Sequence, residues 1–119
     1  LHRADAGRIR ISNVKYDYNK ASGLTSTYIP DNNVTYATGM GICYDFSSLM
    51  AGMLRSVGIP AKLVKGYTPN ATGYHAWNEV LINGKWVVID ASYDSQMKAA
   101  GSKYSMVKEA KLYNKTSEF

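Results

Sequence analysis

His75-Ala76-Trp77-Asn78-Glu79-Val80-Leu81-Ile82-Asn83-Gly84-Lys85-Trp86-Val87-Val88-Ile89-Asp90 is the stretch that decides the fold. Two apolar runs flank Asn83-Gly84, a dipeptide that supplies the positive φ a two-residue type I′ turn demands at both central positions. The stretch therefore reads as a β-hairpin, and the turn sets its register. Ile82 faces Lys85, Leu81 faces Trp86, Val80 faces Val87, Trp77 faces Asp90 and His75 faces Ser92. Cross-strand partners share a sheet face, as do residues two apart along a strand, so His75, Trp77 and Asp90 emerge on one side. His75 and Asp90 become diagonal neighbours about 7 Å apart between backbones, a gap that inward-leaning side chains can close. A slip of one residue would send them to opposite faces.

Upstream of the hairpin, Phe46, Leu49, Met50, Met53, Leu54 and Val57 recur at steps of three and four, which predicts a helix starting at Cys43 with one broad apolar stripe. Gly39 and Gly41 form a flexible approach to it. Gly58, followed by Ile59-Pro60, ends it as a C-cap glycine. Cys43 thus falls in or beside the first turn. Lys62 to Tyr67 reads as a strand, followed by a turn-rich stretch through Pro69, Asn70 and Gly73. The first forty residues, rich in Asn, Thr, Ser, Gly and Tyr, suit short strands such as Ile9-Arg10-Ile11 and Val14 to Tyr18, or irregular cover, more than a long helix. Beyond Asp90 the pattern weakens, and no repeat or linker is visible.

Composition narrows the function classes. At 119 residues with 45% apolar content, the chain supplies one core, so a single domain over residues 1–119 is expected. The net charge of +5 comes from scattered Lys and Arg, which predicts a solvated basic surface rather than a nucleic-acid-binding face. One cysteine excludes an internal disulfide, and two histidines with one thiol are too few for an ordinary structural zinc site, so no metal or other cofactor is expected. No apolar run approaches the length of a membrane span, and Leu1 to Arg10 lacks the charged-then-apolar order of a signal peptide. The abrupt start at Leu1 leaves room for a missing upstream segment. Asn-x-Thr sequons at Asn33, Asn70 and Asn114 would matter only in a eukaryotic secretory protein.

Cys43, His75 and Asp90 are a nucleophile, a base and an orienting carboxylate. A helix N-terminus favours the thiolate, the nucleophilic form of cysteine; His75 can move the proton, and Asp90 can fix the histidine tautomer. Backbone N–H groups at the same helix start can receive a developing oxyanion. Singly, each residue has a plainer reading: a small buried core thiol, a structural strand histidine, an aspartate that ends a strand or caps a turn. Both readings stay open on spacing alone. Trp77 and Trp86 share the His75 face and by default fill a core, with Trp77 the better candidate for a groove wall. Asp45 reads as a first-turn carboxylate favoured by the helix dipole, and Glu79 as a partner for a cation without a catalytic part.

Gly41-Ile42-Cys43-Tyr44-Asp45-Phe46, Leu54-Arg55-Ser56-Val57-Gly58-Ile59-Pro60-Ala61-Lys62, Gly66-Tyr67, His75-Ala76-Trp77-Asn78-Glu79-Val80 and Gly84-Lys85-Trp86-Val87-Val88-Ile89-Asp90 together resemble the transglutaminase-like core, in order, over about residues 39–94. The resemblance implies an α+β, papain-like fold in which a helix carrying the nucleophile packs on an antiparallel sheet carrying histidine and aspartate. It makes Cys43 the nucleophile, His75 the base and Asp90 the orienting acid. It implies acyl transfer on protein or peptide carboxamides, through a thioester resolved by amine or water. Proteases, other peptide hydrolases and non-catalytic binding modules of the same fold are the alternatives. Crosslinking members of the animal type place a tryptophan upstream of the cysteine as an oxyanion donor, and no tryptophan precedes Cys43 here. Tyr36, Tyr28 or a backbone N–H is expected in that role, and Tyr36, Tyr44 and Trp77 make up the expected substrate-binding set. The calcium-regulated domains of the animal enzymes do not fit in this length, so no calcium requirement is expected. The likeness to bacterial versions points to an extracellular or cell-surface location.

Overall fold

The fold is described from a computed structural model for residues 15–17, 29–103 and 105–119. Its elements in chain order are β1 (Lys15–Tyr16), α1 (Asn32–Thr38), β2 (Met40–Gly41), α2 (Cys43–Ser56), β3 (Ala61–Tyr67), β4 (His75–Ile82), β5 (Lys85–Ile89), α3 (Ala91–Ala99), β6 (Val107–Lys108), a 3-10 turn (Ala110–Leu112) and β7 (Asn114–Glu118). Strands β6-β5-β4-β3-β7 form a five-stranded sheet with every pair antiparallel, while β1 and β2 make a small parallel pair. This is the mixed α+β architecture expected from the sequence.

The hairpin forms in the expected register, with Ile82 opposite Lys85, Leu81 opposite Trp86 and Val80 opposite Val87. Asn83 (φ 52°) and Gly84 (φ 79°) both take the positive φ that the type I′ turn requires. Pairing ends at Asn78–Ile89, and the chain leaves the sheet at Asp90 to begin α3.

Helix α2 starts at Cys43, where the apolar period places it, and ends as a complete Schellman motif. Ile59 N–H donates to the Leu54 carbonyl at 2.9 Å and Gly58 N–H to the Arg55 carbonyl at 3.1 Å, with Gly58 left-handed at φ 82°. Its stripe of Phe46, Leu49, Met50, Ala51 and Leu54 packs on Ala61, Val80, Ile89 and Ala91 to make the main core. Buried Asn78 fixes helix to sheet by donating from Nδ2 to the carbonyls of Ser47 and Lys62, each at 3.0 Å.

The opposite sheet face carries a smaller cluster of Val64, Trp77, Val88 and Tyr113. Trp86, expected as core filling on this face, stands at the turn end with 45% of its surface exposed, and the Lys62 ammonium lies 4.4 Å over its ring. The difference is one of position: Trp77 meets the Tyr113 ring edge-on at 4.9 Å, whereas Trp86 lies towards the turn end of the hairpin.

Two short helices escaped the sequence reading. In α1, Asp31 accepts from the N–H groups of Asn33 and Val34, and Gly39 closes the helix rather than serving only as an approach to Cys43. In α3, Asp90 is the N-cap and accepts from Tyr93 N–H at 3.2 Å. Of the strands expected near the N-terminus, part of Val14 to Tyr18 is observed as β1, while Ile9 to Ile11 lies outside the described residues.

Candidate active site

Cys43 is the first residue of α2, half-buried, and it lines a cleft together with His75. Two contacts set the helix start. Asp45, fully buried, accepts from the Ile42 N–H at 2.9 Å, which is the capping use of a first-turn carboxylate. Ser47 Oγ donates back to the Cys43 carbonyl. Asp45 therefore orients the segment that carries the sulfur.

His75 is the first residue of β4 and Asp90 the first beyond β5, so the hairpin register brings both to one face. His75 Nε2 lies 2.7 Å from Asp90 Oδ2, with His75 6% exposed and Asp90 1%. Cys43 and His75 line the same cleft, and the Cys43 side chain lies close enough to the imidazole to act on its protonation. Burial pulls the His75 pKa down, but the hydrogen bonds and negative charges of Asp90 and Cys43 outweigh it and raise the value from 6.5 to about 9. At neutral pH the imidazole is charged.

Asp90 is held from every side. Oδ1 accepts from Ser92 Oγ at 3.1 Å and from Tyr93 N–H at 3.2 Å, and Oδ2 accepts from Tyr113 Oη at 2.9 Å beside the His75 contact. Tyr113 comes from the turn before β7, far along the chain. Nothing in the sequence distinguished it among ten tyrosines.

A cleft of about 400 Å³ opens over Cys43 and His75, walled by Tyr16, Asn70, Thr72, Tyr74 and Gln96. The expected substrate-binding residues sit elsewhere. Trp77 is corrected from groove wall to foundation: it is 1% exposed, stacks on His75 with ring centroids 6.2 Å apart and meets Tyr113 edge-on at 4.9 Å. Tyr44 lies half-buried beneath the Lys65 ammonium, 3.6 Å from its ring, and Tyr36 stands 55% exposed on α1. Neither lines the cleft. Tyr28 is outside the described residues. The signal that could have found Tyr16 was the alternating piece Val14 to Tyr18.

Among the described residues no three of His, Cys, Asp and Glu gather in an arrangement that could hold a metal ion, and no helix is long and apolar enough to cross a membrane.

Comparison with known proteins agrees with this fold. The family model of the transglutaminase-like superfamily matches residues 5–91. YebA, an uncharacterized protein of Bacillus subtilis (strain 168), is 52% identical over 46 residues, 34% of this chain and 6% of the relative. Legionella pneumophila LapG superposes with a TM-score of 0.71 at 13% identity, covering 99% of this chain and 64% of that one. A Cytophaga hutchinsonii protein provisionally classed as a cysteine protease superposes with a TM-score of 0.69 at 22% identity, covering 100% of this chain and 36% of that one. The chain thus spans only a part of each of these proteins, and at such identities the superpositions speak for the fold alone.

Proposed function

This chain belongs to the transglutaminase-like superfamily, whose members are typically cysteine enzymes, and from that premise we propose that Cys43, His75 and Asp90 form a nucleophilic triad for acyl transfer on protein or peptide carboxamides. The observation that carries the proposal is the buried 2.7 Å contact between His75 Nε2 and Asp90 Oδ2, with His75 and Cys43 lining one open cleft.

A charged imidazole beside a thiol at a helix start favours the thiolate. The Cys43 thiolate attacks the carboxamide carbon, and the oxyanion develops beside backbone N–H groups at the start of α2. Collapse breaks the C–N bond, His75 gives its proton to the departing ammonia or amine, and a thioester to Cys43 remains. The now neutral His75 takes a proton from water or an acceptor amine as that nucleophile attacks the thioester. The Cys43–acyl bond breaks, which restores thiolate and imidazolium. Asp90 holds the ring orientation through both halves.

Incubation of the protein with a glutamine-containing peptide and an isotopically labelled amine, read by mass spectrometry, tests this reading. Amine adduct or deamidation, lost in Cys43→Ala, is expected. Cleavage of the peptide backbone instead would make the protein a peptide hydrolase of the same fold. No product of any kind would leave a binding module.

A further inference from the structure

Asp90 has two classes of partner. Ser92 and Tyr93 belong to the helix that Asp90 itself caps, and they hold only Oδ1. Oδ2, the oxygen that faces His75, has one other partner among the described residues, the Tyr113 hydroxyl at 2.9 Å. A phenol has a single proton, so its direction matters. Asn70 Nδ2 lies 3.2 Å from the same phenol oxygen, and an amide nitrogen can only donate. The phenol therefore accepts from Asn70, and its own proton is committed to Asp90. Asn70 in turn lines the cleft above Cys43. A directed chain runs from the cleft wall to the base: Asn70 to Tyr113 to Asp90, which His75 meets from the other side.

We propose that Tyr113 is a positioning residue of this site, setting how strongly Asp90 binds His75, and that Asn70 couples the cleft wall to that setting. The proposal rests on the Cys43–His75–Asp90 reading given above. A carboxylate oxygen shared between two donors is a weaker base towards each than an oxygen serving one. The Tyr113 hydroxyl thus tempers the pull of Asp90 on the imidazolium and keeps the carboxylate from rotating away. Burial and the Asp90 charge push the Tyr113 phenol further above its ordinary range, so it remains a neutral donor throughout the working pH range. A substrate that displaces Asn70 and presents an acceptor to the phenol in its place would draw the Tyr113 proton off Asp90 and change the acidity of His75 at the moment of binding.

The test is the titration of the His75 ring followed by NMR in the full chain, together with the pH dependence of Cys43 alkylation by iodoacetamide. Tyr113→Phe deletes only the hydroxyl and is expected to raise the His75 midpoint by about half a unit or more, with the upper limb of the alkylation profile moving in step. Asn70→Asp keeps the tyrosine but replaces the donor by an acceptor that draws the phenol proton away, so it is expected to reproduce the Tyr113→Phe shift even if that variant folds poorly. Asn70→Ala, which leaves the phenol proton on Asp90, is expected to titrate like the parent. A purely structural Tyr113 would alter stability and leave the midpoints unmoved, and unmoved midpoints in both Tyr113→Phe and Asn70→Asp overturn the proposal while leaving the triad standing. A parent His75 that titrates at its ordinary value overturns the triad reading, and this proposal with it.

Discussion

The two faces of the five-stranded sheet are built unequally. On one, α2 lays Phe46, Leu49, Met50 and Leu54 over Val80 and Ile89, a broad apolar core. On the other, Trp77 is covered by Val64, Val88 and Tyr113, and the face thins until Trp86 meets solvent. Cys43 comes from the thick side and His75 and Asp90 from the thin one, and Cys43 and His75 open onto one cleft. The helix and its core hold Cys43, whereas His75 and Asp90 depend on a few specific contacts, chiefly Trp77 beneath the ring and Tyr113 on the carboxylate. A site so divided places its rigid support under the thiol and its adjustable contacts around the imidazole.

The contrast breaks most sharply at the sulfur. Cys43→Ala is expected to reduce turnover to background, a loss of about 10⁴-fold or more, with little change in melting temperature, because a half-buried thiol contributes little to the core. Peptide-plus-amine assays and a thermal melt on the same sample check both halves. Next in size comes Asp90→Asn, which keeps the shape but removes the charge that orients and sustains the imidazolium. A loss of about 10⁴-fold in turnover is expected by analogy with other histidine-orienting aspartates, together with a His75 titration that falls back towards 6.5 from about 9.

The thick face was open to reading from sequence and the thin one only in part. Periodicity located α2 and turn chemistry fixed the β4–β5 register, so the meeting of His75 with Asp90 followed from Asn83-Gly84 alone. The remainder depended on contacts with no local signature. Tyr113 reaches Asp90 from 23 positions away, and nothing near it in sequence points there. Trp77 and Trp86 share a sheet face and a residue type, and only the segment that happens to cover one of them separates a buried support from an exposed ring. Helix α3 begins where Asp90 serves its backbone as a cap as well as the histidine, a double use that period counting does not see.

The same two tryptophans provide the stability test. Trp77→Ala removes the largest side chain of the thin face and is expected to cost about 3–5 kcal/mol, measured by urea unfolding. Gly66→Ala attacks that cover from beneath: a Cβ there would come within 2.0 Å of the Asn114 carbonyl oxygen and 2.8 Å of the Trp77 ring, so β7 must shift. A Gly66→Ala protein as stable as its parent would mean that β7 contributes nothing to the thin face.

A smaller effect comes from pH. The folded pKa of His75, about 9, lies above its ordinary 6.5, so the charged ring contributes stability that is fully present below pH 6.5 and is lost as pH rises through about 9. The parent is therefore expected to lose melting temperature relative to His75→Gln between those values, and a constant difference between the two curves would show that Asp90 does not hold a charged ring. Smallest of all is Trp86→Ala. Its ring is 45% exposed and its visible contact is the Lys62 ammonium, so the expected loss is below about 1 kcal/mol. A cost near that of Trp77→Ala would mean that the turn end of the hairpin is packed in solution, and the inequality of the two faces would disappear.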